Sequence, residues 1–403
     1  MLSRLALALA LVFSSQLVHA SNYSTWMALS IMSRSQGVLA SSNDTSALLQ
    51  AGVTQKAFTR LIEQYPSSSS TPGIAAYLKS SVESVAGPVT NATKDLTYAM
   101  DRLSSGNALM NLYAKTGNAT YRTAYDGLRA SININSRNAE GGMWYFVYPN
   151  WSYLDGMYSL APFYAYYDAL LDPHNGTALA DMMHQLDLLW THCAFNASAN
   201  GTAAGLLVHG YDDSKTAVWA DPVTGASPHV WGRSLGWYTM ALVDTLEILP
   251  ARLHPTDWAL LHTRFGQLAD AIKTAVDPAS GAWWQILDQP ARAGNYIESS
   301  GTAMFVYALL KGVRLGYLQD GGKNERKYTD IASRAYEYIV DTFVVNNGNG
   351  TLGYNGTVTV CSLNSTASYE YYVGQPILYN SPLGSAPFVL ASLEYESLTG
   401  AEL

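Results

Sequence analysis

Charge is what this sequence has least of. Only 13% of its 403 residues are Asp, Glu, Lys or Arg, about half the ~25% usual in globular proteins. The basic side is the poorer, with 23 Lys and Arg against 31 Asp and Glu and a net charge of -8. That excludes the positive field needed to hold nucleic acid or an anionic membrane. Hydrophobic residues reach 48%, which excludes a disordered chain. Cysteine is nearly absent: Cys193 and Cys361 stand alone, and no Cys-x-x-Cys or His-rich cluster offers a zinc site. In an oxidising compartment the two cysteines form one disulfide. The other reading is two buried thiols, and the sequence leaves both open. A calcium or zinc site from His209, Asp212, Asp213 and Asp221 has poor ligand spacing. There is no P-loop, and neither NTPase, esterase nor dehydrogenase chemistry is expected.

What is abundant is aromatic: 28 Tyr, 10 Trp and 9 Phe. Large cores and glycan-stacking surfaces both use such rings, so composition alone favours neither. The N-terminus carries more direct information. Arg4 precedes the apolar run Leu5–Phe13, and Val18-His19-Ala20 ends the segment with small residues at the positions a signal peptidase reads. The expectation is a signal peptide over 1–20 and a secreted, extracellular single domain over 21–403. The apolar run is too short for a membrane span, and no later segment gives 18 consecutive apolar residues. Sequons stand at Asn22, Asn43, Asn91, Asn118, Asn150, Asn175, Asn196, Asn200, Asn349, Asn355 and Asn364. Roughly four would arise by chance, so the excess points to N-glycosylation and a eukaryotic, fungal source.

Apolar residues recur at helical spacing in Thr25–Leu39, Ala47–Gln64, Asp95–Tyr113, Met157–Leu171, Leu179–Cys193, Trp237–Leu249, Trp258–Val276, Thr302–Leu318 and Ala332–Val344. Pro66–Gly73, Asp172–Gly176, Asp221–Gly225 and Asp320–Gly322 break them. A spacing of roughly 60 residues per helix pair predicts six helical hairpins closed into one all-α toroid, an (α/α)6 barrel. An open solenoid is the alternative, and it wants clearer repeats.

Two clusters carry chemistry. Between Glu140 and Asp168, eleven residues are aromatic and Asp155 is the only charged one. An apolar setting weakens solvation of a carboxylate and suits it to donate a proton. Asp155 also stands where an Asp would cap the helix beginning near Gly156, and the two readings are compatible. The second cluster runs from His209 through Trp219-Ala220-Asp221-Pro222 to Trp231-Gly232-Arg233-Ser234-Leu235-Gly236-Trp237. An Arg between two Trp suits a sugar acid: the guanidinium pairs with the carboxylate and the indoles stack on the ring. A salt bridge from Arg233 to Asp212 or Asp221 is the bland alternative. Trp284, Gln285, Asn295 and Glu298 are further groups able to reach sugar hydroxyls, and Glu298 equally suits a helix cap near Thr302.

Asp155-Gly156-Met157-Tyr158, Trp219–Pro222, Trp231–Trp237, Trp283-Trp284-Gln285-Ile286-Leu287-Asp288-Gln289 and Gly294-Asn295-Tyr296-Ile297-Glu298 occur in one order. Together they resemble glycoside hydrolase family 105, the unsaturated rhamnogalacturonyl hydrolases, over roughly residues 25–400. The resemblance implies an (α/α)6 barrel with Asp155 as acid/base and Asp101 as the second site carboxylate. It also implies substrate contacts from His209, Trp231, Arg233 and Trp237, with Trp144, Tyr145 and Trp284 nearby. Bacterial members commonly carry Trp-His-Lys where this chain has Trp144-Tyr145-Phe146, which bears on the leaving sugar. The implied protein is a monomer acting on oligosaccharides, with no metal or cofactor. The alternatives are an unsaturated glucuronyl hydrolase of the neighbouring family 88 and a non-catalytic glycan-binding barrel.

Overall fold

The computed structural model describes residues 22–39, 44–173, 176–195, 203–321 and 326–400. The expected signal segment and the sequons at Asn43, Asn175, Asn196 and Asn200 lie outside these residues. Among the described ones, no helix is long and apolar enough to cross a membrane.

The helices are α1 (Tyr23–Ser33), α2 (Ala47–Gln64), α3 (Thr71–Ala86), α4 (Ala92–Asp95), α5 (Gly106–Thr116), α6 (Ala119–Asn133) and α7 (Gly156–Leu171), then α8 (Gly176–His192), α9 (Gly232–Ile248), α10 (Pro255–Thr274), α11 (Ser299–Arg314), α12 (Tyr328–Phe343), α13 (Tyr369–Val373) and α14 (Pro382–Thr399). An inner ring runs through α2, the 3₁₀ turn Met100–Ser105 leading into α5, α7, α9, α11 and α14. Each packs on the next, and α14 packs on α2, so the ring closes. Outside it, α3, α6, α8, α10 and α12 each back their inner neighbour, and α1 backs α14. This is the six-hairpin toroid expected from the helix count, and closure through α14 excludes the open solenoid.

Burial explains which helices go where. In α9 every residue from Gly232 to Leu246 is buried, and in α11 every residue from Ser299 to Gly312. A helix covered on all sides belongs inside. Outer α6 buries only Tyr121, Ala124, Tyr125, Leu128, Ser131 and Ile132, a single stripe. Where α9 and α11 begin they nearly touch: a Cβ on Gly301 would lie 3.0 Å from the Gly232 carbonyl carbon. Any larger residue would push the two helix starts apart by a few tenths of an ångström.

Several expected boundaries moved. The helix expected over Asp95–Tyr113 is broken into the end of α4, the 3₁₀ turn and α5. Thr25–Leu39 ends at Ser33, followed by a turn with Gly37 at φ 74°. Helices α3, α6 and α14 were not expected; Pro72, read as a breaker, occupies the first turn of α3, where its missing N–H costs nothing. Four short strands also form two two-stranded sheets. β1 (Trp151–Tyr153) pairs antiparallel with β2 (Gly210–Asp212), and β3 (Val344–Asn346) with β4 (Leu352–Tyr354).

Candidate active site

The 3₁₀ turn and the starts of α7, α9 and α11 meet at one end of the ring, under β1 and β2. Asp101 lies in the 3₁₀ turn, and Asp155 immediately precedes α7. Both carboxyls are buried, 6% and 8% exposed. Asp155 does not cap its helix. Its backbone is already helical (φ -52°, ψ -42°) and its side chain makes no capping bond. Instead Ser234, in the first turn of α9, donates its hydroxyl to Asp155 Oδ2 at 2.5 Å. His209 Nε2 lies 3.2 Å from the same oxygen, outside hydrogen-bond alignment. The other ring nitrogen, Nδ1, is held by the Tyr372 hydroxyl at 2.7 Å.

Asp101 has a different shell. The Tyr145 hydroxyl donates to its Oδ1 at 2.9 Å. Burial pushes the Asp101 carboxyl up to about 7, and the nearby Asp155 charge pushes the same way against the Tyr145 hydrogen bond. Asp101 therefore keeps its proton up to near neutrality. Aromatic rings join the two shells. Tyr145 stacks on Tyr153 at 4.3 Å, and Tyr153 meets His209 edge-on at 5.2 Å.

The other expected site residues divide. Trp231 is buried 4.8 Å behind the His209 ring and gives its indole N–H to Gln285. It backs the site rather than lining it. Arg233 is 1% exposed, and its fork is already occupied. It donates to the carbonyls of Val358 and Thr359 at 2.5 and 2.6 Å. The alternative salt bridge to Asp212 or Asp221 does not form: those carboxylates accept backbone N–H groups of their own turns. Trp237 sits in the main core against Tyr158 at 4.4 Å, out of a substrate's reach. Trp144 and Trp284 are half-buried, and Trp144 Nε1 has no hydrogen-bond partner among the described residues. Gln285 and Asn295 are spent on Trp231 and on the Ile286 and Gln289 backbone. Glu298 caps α11 by accepting from Gly301 N–H at 2.7 Å.

Cys193 and Cys361 are separate buried thiols, the second of the two readings that the sequence left open. Cys193 belongs to the main core and Cys361 to the aromatic cluster over the site. Among the described residues no cluster of His, Cys, Asp or Glu is arranged to hold a metal ion.

Sequence reasoning passed over Ser234, although Gly232–Gly236 spells Gly-x-Ser-x-Gly. The structure shows no esterase triad there. In a triad the His stands between Ser and Asp, whereas here Asp155 stands between Ser234 and His209, and Ser234 is fully buried. Gly348–Gly353 likewise spells Gly-x-Gly-x-x-Gly, but it forms the turn between β3 and β4 rather than the start of a helix. Tyr153 and Tyr372 stand in aromatic stretches that the sequence marks out, but neither was given a role in the shell, because nothing local in their sequence distinguishes them from core tyrosines.

Comparison with known proteins agrees with this fold. Residues 23–399 match the family profile Glycosyl Hydrolase Family 88. The glycoside hydrolase from family 105 of C. acetobutylicum is 33% identical, with a TM-score of 0.81 over 93% of this chain and 99% of that one. An unsaturated glucuronyl hydrolase from Bacillus sp. GL1, responsible for the degradation of glycosaminoglycan, shares the fold (TM-score 0.65, 94% and 96% coverage) at 13% identity. A 24.9 kDa protein in the picA locus of Rhizobium radiobacter is 36% identical over 198 residues, 48% of this chain and 82% of that protein.

Proposed function

The chain belongs to glycosyl hydrolase family 88, and from that premise we propose that it hydrolyses 4,5-unsaturated galacturonyl-rhamnose oligosaccharides, the ends left when a lyase cuts rhamnogalacturonan. The observation that carries the reading is the buried pair Asp101 and Asp155 under aromatic rings, one carboxyl raised to about 7 and the other held by Ser234 beside His209.

An unsaturated uronide is a vinyl ether, and its own double bond is the reactive group. Asp155 gives a proton to C4, and positive charge develops at C5 and the ring oxygen. Asp155, now a carboxylate, takes a proton from the water that adds to C5. The product is a hemiketal, which opens to a keto acid and releases the neighbouring sugar. Asp155 ends the cycle protonated. Asp101 keeps its own proton up to near neutrality, so the site holds a proton when substrate arrives. Ser234 anchors Oδ2 and leaves Oδ1 as the oxygen to face the sugar. Retention of this proton-handling pair argues against a barrel that only binds glycan.

We further read the protein as secreted, glycosylated and monomeric. The sequon residues Asn91, Asn118, Asn349, Asn355 and Asn364 are exposed, which supports glycan attachment.

The test is loss of the ultraviolet absorbance of the conjugated uronide, with rhamnogalacturonan-lyase products set beside glycosaminoglycan and alginate disaccharides. Fastest loss on the first supports the proposal. Preference for the glycosaminoglycan disaccharides would move the reading to a glucuronyl hydrolase.

A further inference from the structure

Tyr369-Glu370-Tyr371-Tyr372 is an aromatic run outside the acid pair, and its last member reaches the site. The run forms most of the short helix α13, and its neighbours tie it down. The Tyr369 hydroxyl donates to the Arg292 and Ala293 carbonyls, each at 3.1 Å. The Tyr371 hydroxyl accepts the Ser362 N–H at 2.9 Å. Gln285, which accepts the Trp231 indole N–H, donates its own amide to the Tyr372 carbonyl at 3.3 Å. Tyr372 Oη is thereby held 2.7 Å from His209 Nδ1, and both residues are fully buried.

Packing fixes the imidazole ring but not its proton. Tyr153 and Trp231 lie against the ring, with centroids 5.2 and 4.8 Å from its own. A neutral imidazole carries its proton on either nitrogen, and the partner of one nitrogen decides which. Here that partner is a phenol. Burial holds the Tyr372 hydroxyl well above its ordinary pKa, so it keeps its proton. A buried hydroxyl without an acceptor is costly, and His209 Nδ1 is the one partner of this hydroxyl among the described residues. Nδ1 therefore accepts, and the imidazole proton sits on Nε2. The opposite tautomer would orphan the phenol proton and turn a bare lone pair toward Asp155 Oδ2, 3.2 Å away.

A donor in that place matters to an acid that changes charge. Before reaction Nε2 makes no hydrogen bond, and Ser234 alone donates to Oδ2. Once Asp155 has given up its proton, Nε2–H is a second donor within reach of the same oxygen. Catalytic hydrogen bonds commonly tighten only when the reaction calls on them.

We propose that Tyr372 is a positioning residue: by donating to Nδ1 it holds His209 in the Nε2–H tautomer, ready to stabilise the Asp155 carboxylate formed during turnover. The proposal rests on the assignment of Asp155 as the acid/base.

The test pairs ¹⁵N NMR of the histidine-labelled mature chain with kinetics on rhamnogalacturonan-lyase products. Tyr372→Phe removes the hydroxyl and keeps the ring. His209→Gln supplies an amide N–H that no tautomer can withdraw, and loss of a signal in it identifies His209. Wild type is expected to show a protonated Nε2 and a bare Nδ1, and Tyr372→Phe a mixture of both tautomers. In Tyr372→Phe kcat should fall about 10- to 100-fold with KM within about twofold of wild type. Added to His209→Gln, Tyr372→Phe should change kcat by less than about twofold, because it acts through the imidazole. A protonated Nδ1 in wild type would overturn the proposal. So would an unchanged tautomer in Tyr372→Phe, or the same fold-loss of kcat in both backgrounds. Should Tyr372→Phe fail to fold, the wild-type tautomer decides alone. The NMR needs no substrate, so a wild type inactive on every unsaturated uronide would end the functional reading separately from the tautomer.

Discussion

Replacing Tyr145 with Phe isolates the hydrogen bond that holds Asp101. The ring stays, so its 4.3 Å stack on Tyr153 is kept and no cavity opens. Only the hydroxyl that donates to Asp101 Oδ1 at 2.9 Å is lost. A hydrogen bond to a buried charged acceptor is worth about 1.5–3 kcal/mol, and a pKa unit corresponds to about 1.4 kcal/mol. The Asp101 carboxyl, now about 7, should therefore rise by roughly one to two units. The bond favours the ionised form, so its loss favours the protonated one, and the shift is upward. The assay is the pH dependence of kcat on an unsaturated uronide. The alkaline limb should move to higher pH, while the rate at pH well below 7 stays close to wild type. Stability should respond to pH as well. Asp101 has a folded pKa above its unfolded value of about 4, so its contribution is fully present below that value and is lost as pH rises to about 7. Tyr145→Phe should thus cost more stability at pH 8 than at pH 5. An alkaline limb that does not move, in a variant that melts normally, would refute the account of Asp101 as the proton store of the site.

Three other outcomes follow from the same geometry. Asp155→Asn should fold normally, since Asp155 caps nothing, yet lose about 10²–10⁴ in kcat with substrate binding retained. If more than about a tenth of kcat survives, Asp101 becomes the acid. Arg233→Lys cannot bridge both the Val358 and Thr359 carbonyls, so it should lower stability by about 1.5–3 kcal/mol, read as a lower Tm; weaker substrate binding with an unchanged Tm would instead return Arg233 to the substrate. The secreted product should begin at Ser21 and lose mass on treatment with an N-glycosidase, whereas an unglycosylated protein starting at Met1 would end the secretion reading.

Sequence alone determined the all-α ring and singled out Asp155. Helical periodicity is local, and so is the isolation of one acid among eleven aromatic residues. The residues around Asp155 were legible as motifs but not as roles. Arg233, Trp231 and Trp237 sit in one conspicuous run, yet an α-helix turns successive side chains in different directions. One enters the core against Tyr158, one reaches the Val358 and Thr359 carbonyls, and one stands behind His209. Ser234, from the same run, is the one that touches the acid. Proline at a helix start hid α3, because the residue that breaks a helix interior is welcome in its first turn. Only the closed ring decided that Tyr145 meets Asp101, 44 residues away, and that Tyr372 meets His209, 163 residues away. Such pairings depend on which hairpins become neighbours when the toroid shuts, and no window of sequence contains that information.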